Sequence, residues 1–560
     1  MGKDWRDRLS KPDYRVKAEK DVRVTMRDRV RLAADVYRPD GEGKFPALLS
    51  LSPYGKDVQK LKSPRGPLNP IRGNGGQEAG DTDYFVSRGY VHVIADVRGA
   101  GDSEGDFDFY GLKDQQDGYD LIEWIAAQPW CDGNVGMLGM SVFGLMQFLI
   151  AAQNPPHLKA IFPYEAYTDR YRHMIYHDGL LNTGFYTQWW GHVSVGASIP
   201  RSLREHPEEI RKIVEELKLK DEIQTHVPLY LALKYPEKNV PIFEALTHPF
   251  DGPFYWETSA YTMFDRIKIP CCLVSRWSGW AIHLPGAFSA YNGLNVPRKM
   301  MITETENPHG PIRPWADHHD LILRWYDHWF KGIDTGMMEE APIRLLIMGT
   351  GEWRDEYEWP LARTRWTKFY LRENGQLSET PPGQAGGSDA FVNTPYPLPR
   401  TPLPGIRYTT PPLTEDMEVT GPVALYFHAA LDQTDATWVA SLNDIAPDGS
   451  VRLIIKGWLR ASHKRVDEGR SKPYAPFHPN TESIPVEPGK VYEYAVDIRE
   501  TCNCFKAGHR IELVIKGQDA PSEDPIWYHL CNVKETTHTV YHNAQYSSYL
   551  LLPVIPAKGD

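Results

Sequence analysis

The chain reads as an α/β protein: a doubly wound, mostly parallel sheet, interrupted by a helical insertion and followed by a β-sandwich. Three observations predict this. Between Phe45 and Asp169, almost wholly apolar strands alternate with amphipathic helices, the pattern of a parallel sheet covered on both faces. From about 166 to 262 the alternation stops, and the stretch is aromatic-rich and helical before strand and helix resume. Beyond about 345 the texture becomes short alternating strands joined by Pro/Gly/Thr-rich turns, as in a jelly roll. The expected divisions are therefore 1–165 and 263–345 for the sheet domain, 166–262 for a helical cap, and 346–560 for the sandwich. A chain of 560 residues exceeds what one core organises, so several domains are expected.

In order, Val22–Met26 and Val30–Tyr37 flank Arg27-Asp28-Arg29 and read as an antiparallel hairpin. Phe45–Tyr54 is a buried strand, followed by a Gly/Pro-rich loop reaching Asp83. Tyr90–Asp96 is a second buried strand leading into Arg98-Gly-Ala-Gly-Asp-Ser-Glu-Gly105. That loop lacks a Lys-Ser/Thr ending and opens no helix directly, so it reads as a structural turn rather than a phosphate cradle. Gln115–Gln128 is a helix with Tyr119, Leu121, Ile122, Trp124 and Ile125 on its apolar side. Val135–Leu138 and Leu158–Pro163 are strands; within the insertion, Pro207–Leu219 is a charged helix. The alternation returns with strand Ile267–Ser275, a helix near Pro285–Asn292, strand Lys299–Thr303 and helix Asp317–Lys331. Strands Ile343–Met348, Thr367–Leu371, Val423–His428, Val451–Ile455, Tyr492–Ile498 and Arg510–Ile515 build the last unit.

The composition is that of a globular protein, 41% hydrophobic and 24% charged, and its 17 Trp and 30 Tyr suit broad buried faces and an apolar pocket. A net charge of −11 excludes a phosphate-backbone partner, which requires a basic face. The six cysteines have neither zinc-ligand spacing nor the pattern of a disulfide framework. The charged start, Met1-Gly-Lys-Asp-Trp-Arg-Asp-Arg, is not a signal peptide, and no apolar run reaches membrane-spanning length. A cytoplasmic protein with neither a nucleic-acid nor a membrane partner is expected.

The chemistry centres on Gly133-Asn-Val-Gly-Met-Leu-Gly-Met-Ser-Val-Phe-Gly144. A short strand, an abrupt turn at Gly139-Met140-Ser141 and a helix from Val142 make a nucleophile elbow, in which small neighbours permit a tight turn that raises a hydroxyl at a helix N-terminus. That helix end offers N–H groups to an oxyanion. Phe143 fills the second small position of the usual Gly-x-Ser-x-Gly pattern, and Gly144 comes one later. On these residues alone, an N-capping serine before a buried helix explains the pattern equally well.

Taken together, Pro53-Tyr-Gly-Lys56, Asp96-Val-Arg-Gly-Ala-Gly-Asp-Ser-Glu-Gly105, Gly133-Asn-Val-Gly with Gly139-x-Ser-x-x-Gly144, Trp329-Phe-Lys-Gly332 and Gly457-Trp-Leu-Arg-Ala-Ser462 resemble the cocaine-esterase-like (CocE/NonD) branch of the α/β-hydrolases, related to Xaa-Pro dipeptidyl-peptidases and α-amino-acid ester hydrolases. The resemblance runs from about residue 20 to the C-terminus. It implies a hydrolase domain, an inserted helical cap and a C-terminal jelly roll. It also implies a serine hydrolase that cleaves carboxylic esters, with amides as a further class, through an acyl-enzyme. Ser141 would be the nucleophile and His309 its base, with His283 a second choice because it opens a helix. Tyr54 and the Val142 amide would form the oxyanion hole, although the family commonly carries Tyr at position 142. Relatives place an aspartate in the loop after the Ile267–Ser275 strand, and Gly279 occupies that position here. Glu165 is the candidate acid because it preserves the chain order Ser141–Glu165–His309. An ion pair of Glu165 with Arg170 or Arg172, and Glu304 or Glu306 as the acid, stay open. The cap aromatics Tyr186, Trp189 and Trp190 could line a pocket or a core. No metal or organic cofactor is implied. The partner is a small-molecule ester or amide, and a homo-oligomer is allowed. An Xaa-Pro-type peptidase, and a binding protein impaired in catalysis on the same fold, are the alternatives.

Overall fold

The structure is a computed structural model that describes residues 4–61, 77–191, 193–304, 315–384, 387–394, 402–519, 521, 523–524, 526–530 and 533–556. Its first sheet runs β1 (Val16–Thr25), β2 (Arg31–Pro39), β3 (Phe45–Ser52), β4 (Val91–Asp96), β5 (Cys131–Met137), β6 (Leu158–Ile161), β7 (Cys271–Arg276), β8 (Arg298–Thr303), β9 (Ile343–Ile347) and β10 (Glu352–Glu356). Their spatial order is β1-β2-β4-β3-β5-β6-β7-β8-β9-β10. The β1–β2, β2–β4 and β9–β10 pairs are antiparallel, and every pair from β4 to β9 is parallel. The expected hairpin is β1–β2. Strand β9, read from the sequence as the first of the sandwich, pairs in parallel with β8 instead. Its apolar alternation fits either setting, and only the pairing distinguishes them.

The continuous apolarity of the central strands follows from their two covered faces. In β3, Ala47, Leu49 and Leu51 join one core with Leu121, Ile122 and Ile125 of α1 (Leu112–Ala126), while Leu48 joins the other with Leu323 and Trp325. Strand β7 divides likewise, Cys271 and Leu273 on one side, Cys272 and Val274 on the other. Helix α2 (Val142–Ala151) is buried over all ten residues. The chain passes from β3 to β4 on one side and then to β5 on the other, so a crevice opens at the C-terminal ends of β3 and β5, where such sheets bind ligands.

The insertion between β6 and β7 is helical, with Thr183–Trp190, Arg201–Glu205, Pro207–Lys218, Val227–Lys234 and Val240–Thr247 among its elements. Pro207–Lys218 has Pro and two glutamates in its first turn and buries Ile210, Val214 and Leu217, a pattern that starts a helix and gives it one apolar face. The sheet then resumes and α3 (Leu284–Gly293) and α4 (Trp315–Lys331) follow. After β10 the remaining strands form the second, eleven-stranded sheet of the C-terminal β-sandwich, with the fifteen-residue strand Met417–Leu431 paired to Tyr492–Phe505, Thr536–Tyr541 and Tyr549–Ile555. Among the described residues, no helix is long and apolar enough to cross a membrane.

Candidate active site

Ser141 follows β5 and is the N-cap of α2, with φ 58° and ψ −115°. This left-handed backbone is costly for a residue with a side chain and persists only where its surroundings enforce it. Three contacts do so. The Ser141 amide donates to the carbonyls of Tyr164 and Glu165 at 3.0 and 3.1 Å, and the Met140 amide donates to Glu78 at 3.1 Å. Gly139 turns at φ 135°, where a Cβ would strike Phe143. Gly144 does the work of the displaced small residue: a Cβ there would come within 2.8 Å of Ala166.

The Ser141 hydroxyl makes no capping bond to its own helix. It faces His283 instead, whose Nε2 lies 3.2 Å from Oγ. An N-capping role is thereby set aside. His283 does open α3, as the sequence suggests, but as N-cap at the end of the loop after β7 it still reaches the elbow. The His283 amide donates to Gly279, closing a one-turn loop that presents the ring. On the far side of the imidazole, Nδ1 lies 3.6 Å from Oε2 of Glu165, and the other Glu165 oxygen accepts from Arg276 Nε at the end of β7. The Glu165 side chain is 1% exposed, and a carboxylate so buried needs a compensating cation. Arg276 supplies it. Arg170 and Arg172, considered as partners from the sequence, go elsewhere: Arg170 to Phe109 and Thr258, Arg172 to Asp169 and Asp251. Glu165 is itself left-handed, at φ 45°, so two strained non-glycine residues meet at the end of neighbouring strands.

Tyr54, just beyond β3, is buried with its ring edge-on to Phe143 (5.9 Å between centroids) and Trp189 (6.5 Å). Its hydroxyl accepts from Trp189 Nε1 at 2.8 Å. Val142 is the first residue of α2, where the backbone N–H has no intrahelical partner and lies at the positive end of the helix. Of the cap aromatics, Trp189 reaches the site, Tyr186 stacks behind it, and the Trp190 side chain lies outside the described residues. His309, the base implied by resemblance, and Glu306 also lie outside the described residues. Sequence reasoning ranked His283 second and missed Arg276. For His283 a signal existed, since it too preserves the Ser–Glu–His order. For Arg276 there was none.

A strained serine between a parallel strand and a buried helix, beside an imidazole and a paired carboxylate, defines an α/β-hydrolase site. The chain belongs to the X-Pro dipeptidyl-peptidase (S15 family): that family matches residues 28–316, and the X-Pro dipeptidyl-peptidase C-terminal non-catalytic domain matches residues 335–551. It is 26% identical over 599 residues to cocaine esterase of Rhodococcus sp. (strain MB1 Bresler), covering 96% of this chain and 98% of that one. Among solved structures it is similar to a CocE/NonD family hydrolase from Staphylococcus aureus (TM-score 0.78, 22% identity, 96% and 93% of the two chains). It is also similar to an α-amino acid ester hydrolase (TM-score 0.73, 19% identity, 97% of each chain). The chain is a hydrolase with the fold of that group.

Proposed function

We propose that the protein is a serine hydrolase of carboxylic esters in which Ser141 is the nucleophile, His283 the base and Glu165 the acid that orients it. The observation that carries this reading is the 3.2 Å approach of His283 Nε2 to an elbow hydroxyl with no capping duty. A serine hydroxyl attacks weakly until an adjacent base takes its proton. In the reaction, Ser141 Oγ bonds to the acyl carbon as its proton passes to Nε2. The carbonyl oxygen becomes an oxyanion held by the Val142 N–H and the Tyr54 O–H. The ester C–O bond breaks and the alcohol leaves with the proton from Nε2. Water then repeats the sequence on the acyl-enzyme and releases the acid. Glu165 favours the tautomer with hydrogen on Nδ1 and stabilises the imidazolium.

The family description keeps Xaa-Pro peptide cleavage as the second reading. A peptidase of that kind must anchor a substrate ammonium on a carboxylate, and three buried carboxylates among the described residues already have cationic partners. Glu165 has Arg276, while Asp519 and Asp524, behind Trp280 and Trp458, have Lys456. Side-by-side turnover of p-nitrophenyl acyl esters and Xaa-Pro-p-nitroanilides tests the choice. Ester turnover abolished by Ser141→Ala is expected; anilide turnover exceeding it would overturn the ester reading.

A further inference from the structure

Arg499 belongs to the sandwich but ends in the loop that carries His283. On strand Tyr492–Phe505 the pairing with Met417–Leu431 slips at Val423/Ala424, so that Val423 faces Arg499 and Ala424 faces Asp497. Ile498 is the extra residue, and such a bulge re-aims the side chain beside it. Arg499 itself sits at φ 73°, a conformation that costs energy for a residue with a Cβ. Its buried guanidinium donates from one nitrogen to the carbonyls of Trp280 (3.0 Å) and Ala281 (3.1 Å), and from the other to the carbonyl of Arg172 (2.9 Å). Trp280 and Ala281 lie within the single turn, Gly279 to His283, that presents the imidazole. Arg172, in turn, joins Asp169 and Asp251 of the cap and donates to the carbonyls of His478 and Pro479 in the sandwich. Burial works against the charge of Arg499, while Asp497, Asp178, Glu500 and Asp169 supply the opposing field.

We infer that Arg499 is a positioning residue: one planar fork from the C-terminal domain holds the Trp280–Ala281 carbonyls and so fixes the imidazole of His283 over Ser141. A fork of fixed geometry suits this, since it satisfies several carbonyls at defined angles where an ammonium is a single point charge. The catalytic geometry is then completed by the sandwich, and the C-terminal domain acts on the chemistry without touching substrate. This inference rests on His283 as the base.

The test compares Arg499→Ala, Arg499→Lys and His283→Ala with the full-length enzyme on a p-nitrophenyl acyl ester. A displaced base costs turnover more than binding, so Arg499→Ala should lower kcat about ten- to hundredfold with KM within about twofold. Arg499→Lys should lie between Ala and wild type, and added methylguanidine should restore part of the kcat of Arg499→Ala. Should Arg499→Ala not fold, Arg499→Lys decides alone, a lower kcat at unchanged KM being the expected result. Both Arg499 variants turning over like wild type while His283→Ala is inactive would overturn the inference. So would a folded Arg499→Ala whose loss lies in KM and is indifferent to methylguanidine. A fully active His283→Ala would instead remove the base assignment beneath it, a different failure.

Discussion

Two turns leave the strands flanking β3 at the same edge of the sheet, and they treat their polar groups in opposite ways. After β4 the glycine-rich loop closes on itself: Asp96 accepts from the amides of Lys56 (2.7 Å) and Asp102 (3.1 Å), and Ser103 donates back to the Asp96 carbonyl. Arg98 forks onto Asp117 at 2.6 and 2.7 Å and reaches Asp28 at 2.9 Å. Positive φ angles there fall on Gly99, Gly101 and Gly105, which bear them without strain. After β5 the positive φ falls on Ser141, and its hydroxyl faces an imidazole from another strand end. A motif rich in glycine is thus structural when its side chains are consumed within it, and chemical when strain delivers a side chain outward.

The largest effect that would break this contrast is at Glu165. Glu165→Gln preserves shape but removes the charge facing His283, so kcat/KM for ester hydrolysis should fall by two to about four orders of magnitude, the range of such losses in serine-protease triads. Turnover within twofold of wild type would remove Glu165 as the acid.

Asp96→Asn should do the reverse, leaving kcat nearly unchanged and lowering stability at acid pH, where the wild-type carboxyl carries no buried charge. An amide must turn its NH2 toward one of the two backbone N–H groups that the Asp96 oxygens accept from, a loss of about 1–3 kcal/mol. Burial pushes the Asp96 carboxyl up from 3.8 to about 6, against the Lys56 and Asp102 amides that pull it down. Its folded value lies above its unfolded one, so this part of the stability is complete below 3.8 and lost as pH rises through about 6. Denaturant titrations across that window should show a steeper fall for wild type than for Asp96→Asn, with at most about 3 kcal/mol between the ends. Parallel pH profiles would contradict the loop account.

The smallest effect sharpens the comparison at Gly279, where relatives are expected to carry the acid. A Cβ there would meet His283, Leu284 and Arg276 at 3.6 to 3.7 Å, ordinary contact distances. Gly279→Ala should therefore shift stability by no more than about 0.5 kcal/mol and leave the pH–rate profile in place. A large loss would show that the backbone of this turn has a role the side-chain geometry does not reveal.

Most of the fold was legible because its signals are local. The mostly apolar β3 and β4, the amphipathic Pro207–Lys218 helix and the Gly139–Gly144 turn each carry their structure in consecutive residues. The proposed site residues Ser141, Glu165, Tyr54 and Val142 could be named from the sequence because all sit at strand ends or at the start of a helix. What escaped depends on pairing between distant segments. The sheet to which β9 belongs is decided by its neighbour, not by its own alternation. Arg276 is one of many arginines until the ends of β6 and β7 converge, and Arg499 matters only through a bulge in another domain. His283 was partly legible, but its place at the head of a helix argued for a capping residue and obscured its reach toward Ser141.

The central claim is that His283 activates Ser141. Its most direct test is the rate at which a fluorophosphonate modifies the enzyme, followed by intact mass in wild type, His283→Ala and His309→Ala. The account predicts one adduct on Ser141 in wild type, labelling slowed at least about a thousandfold in His283→Ala, in the range of triad losses, and a near wild-type rate in His309→Ala. A His283→Ala enzyme that labels like wild type, with labelling lost in His309→Ala, would contradict it.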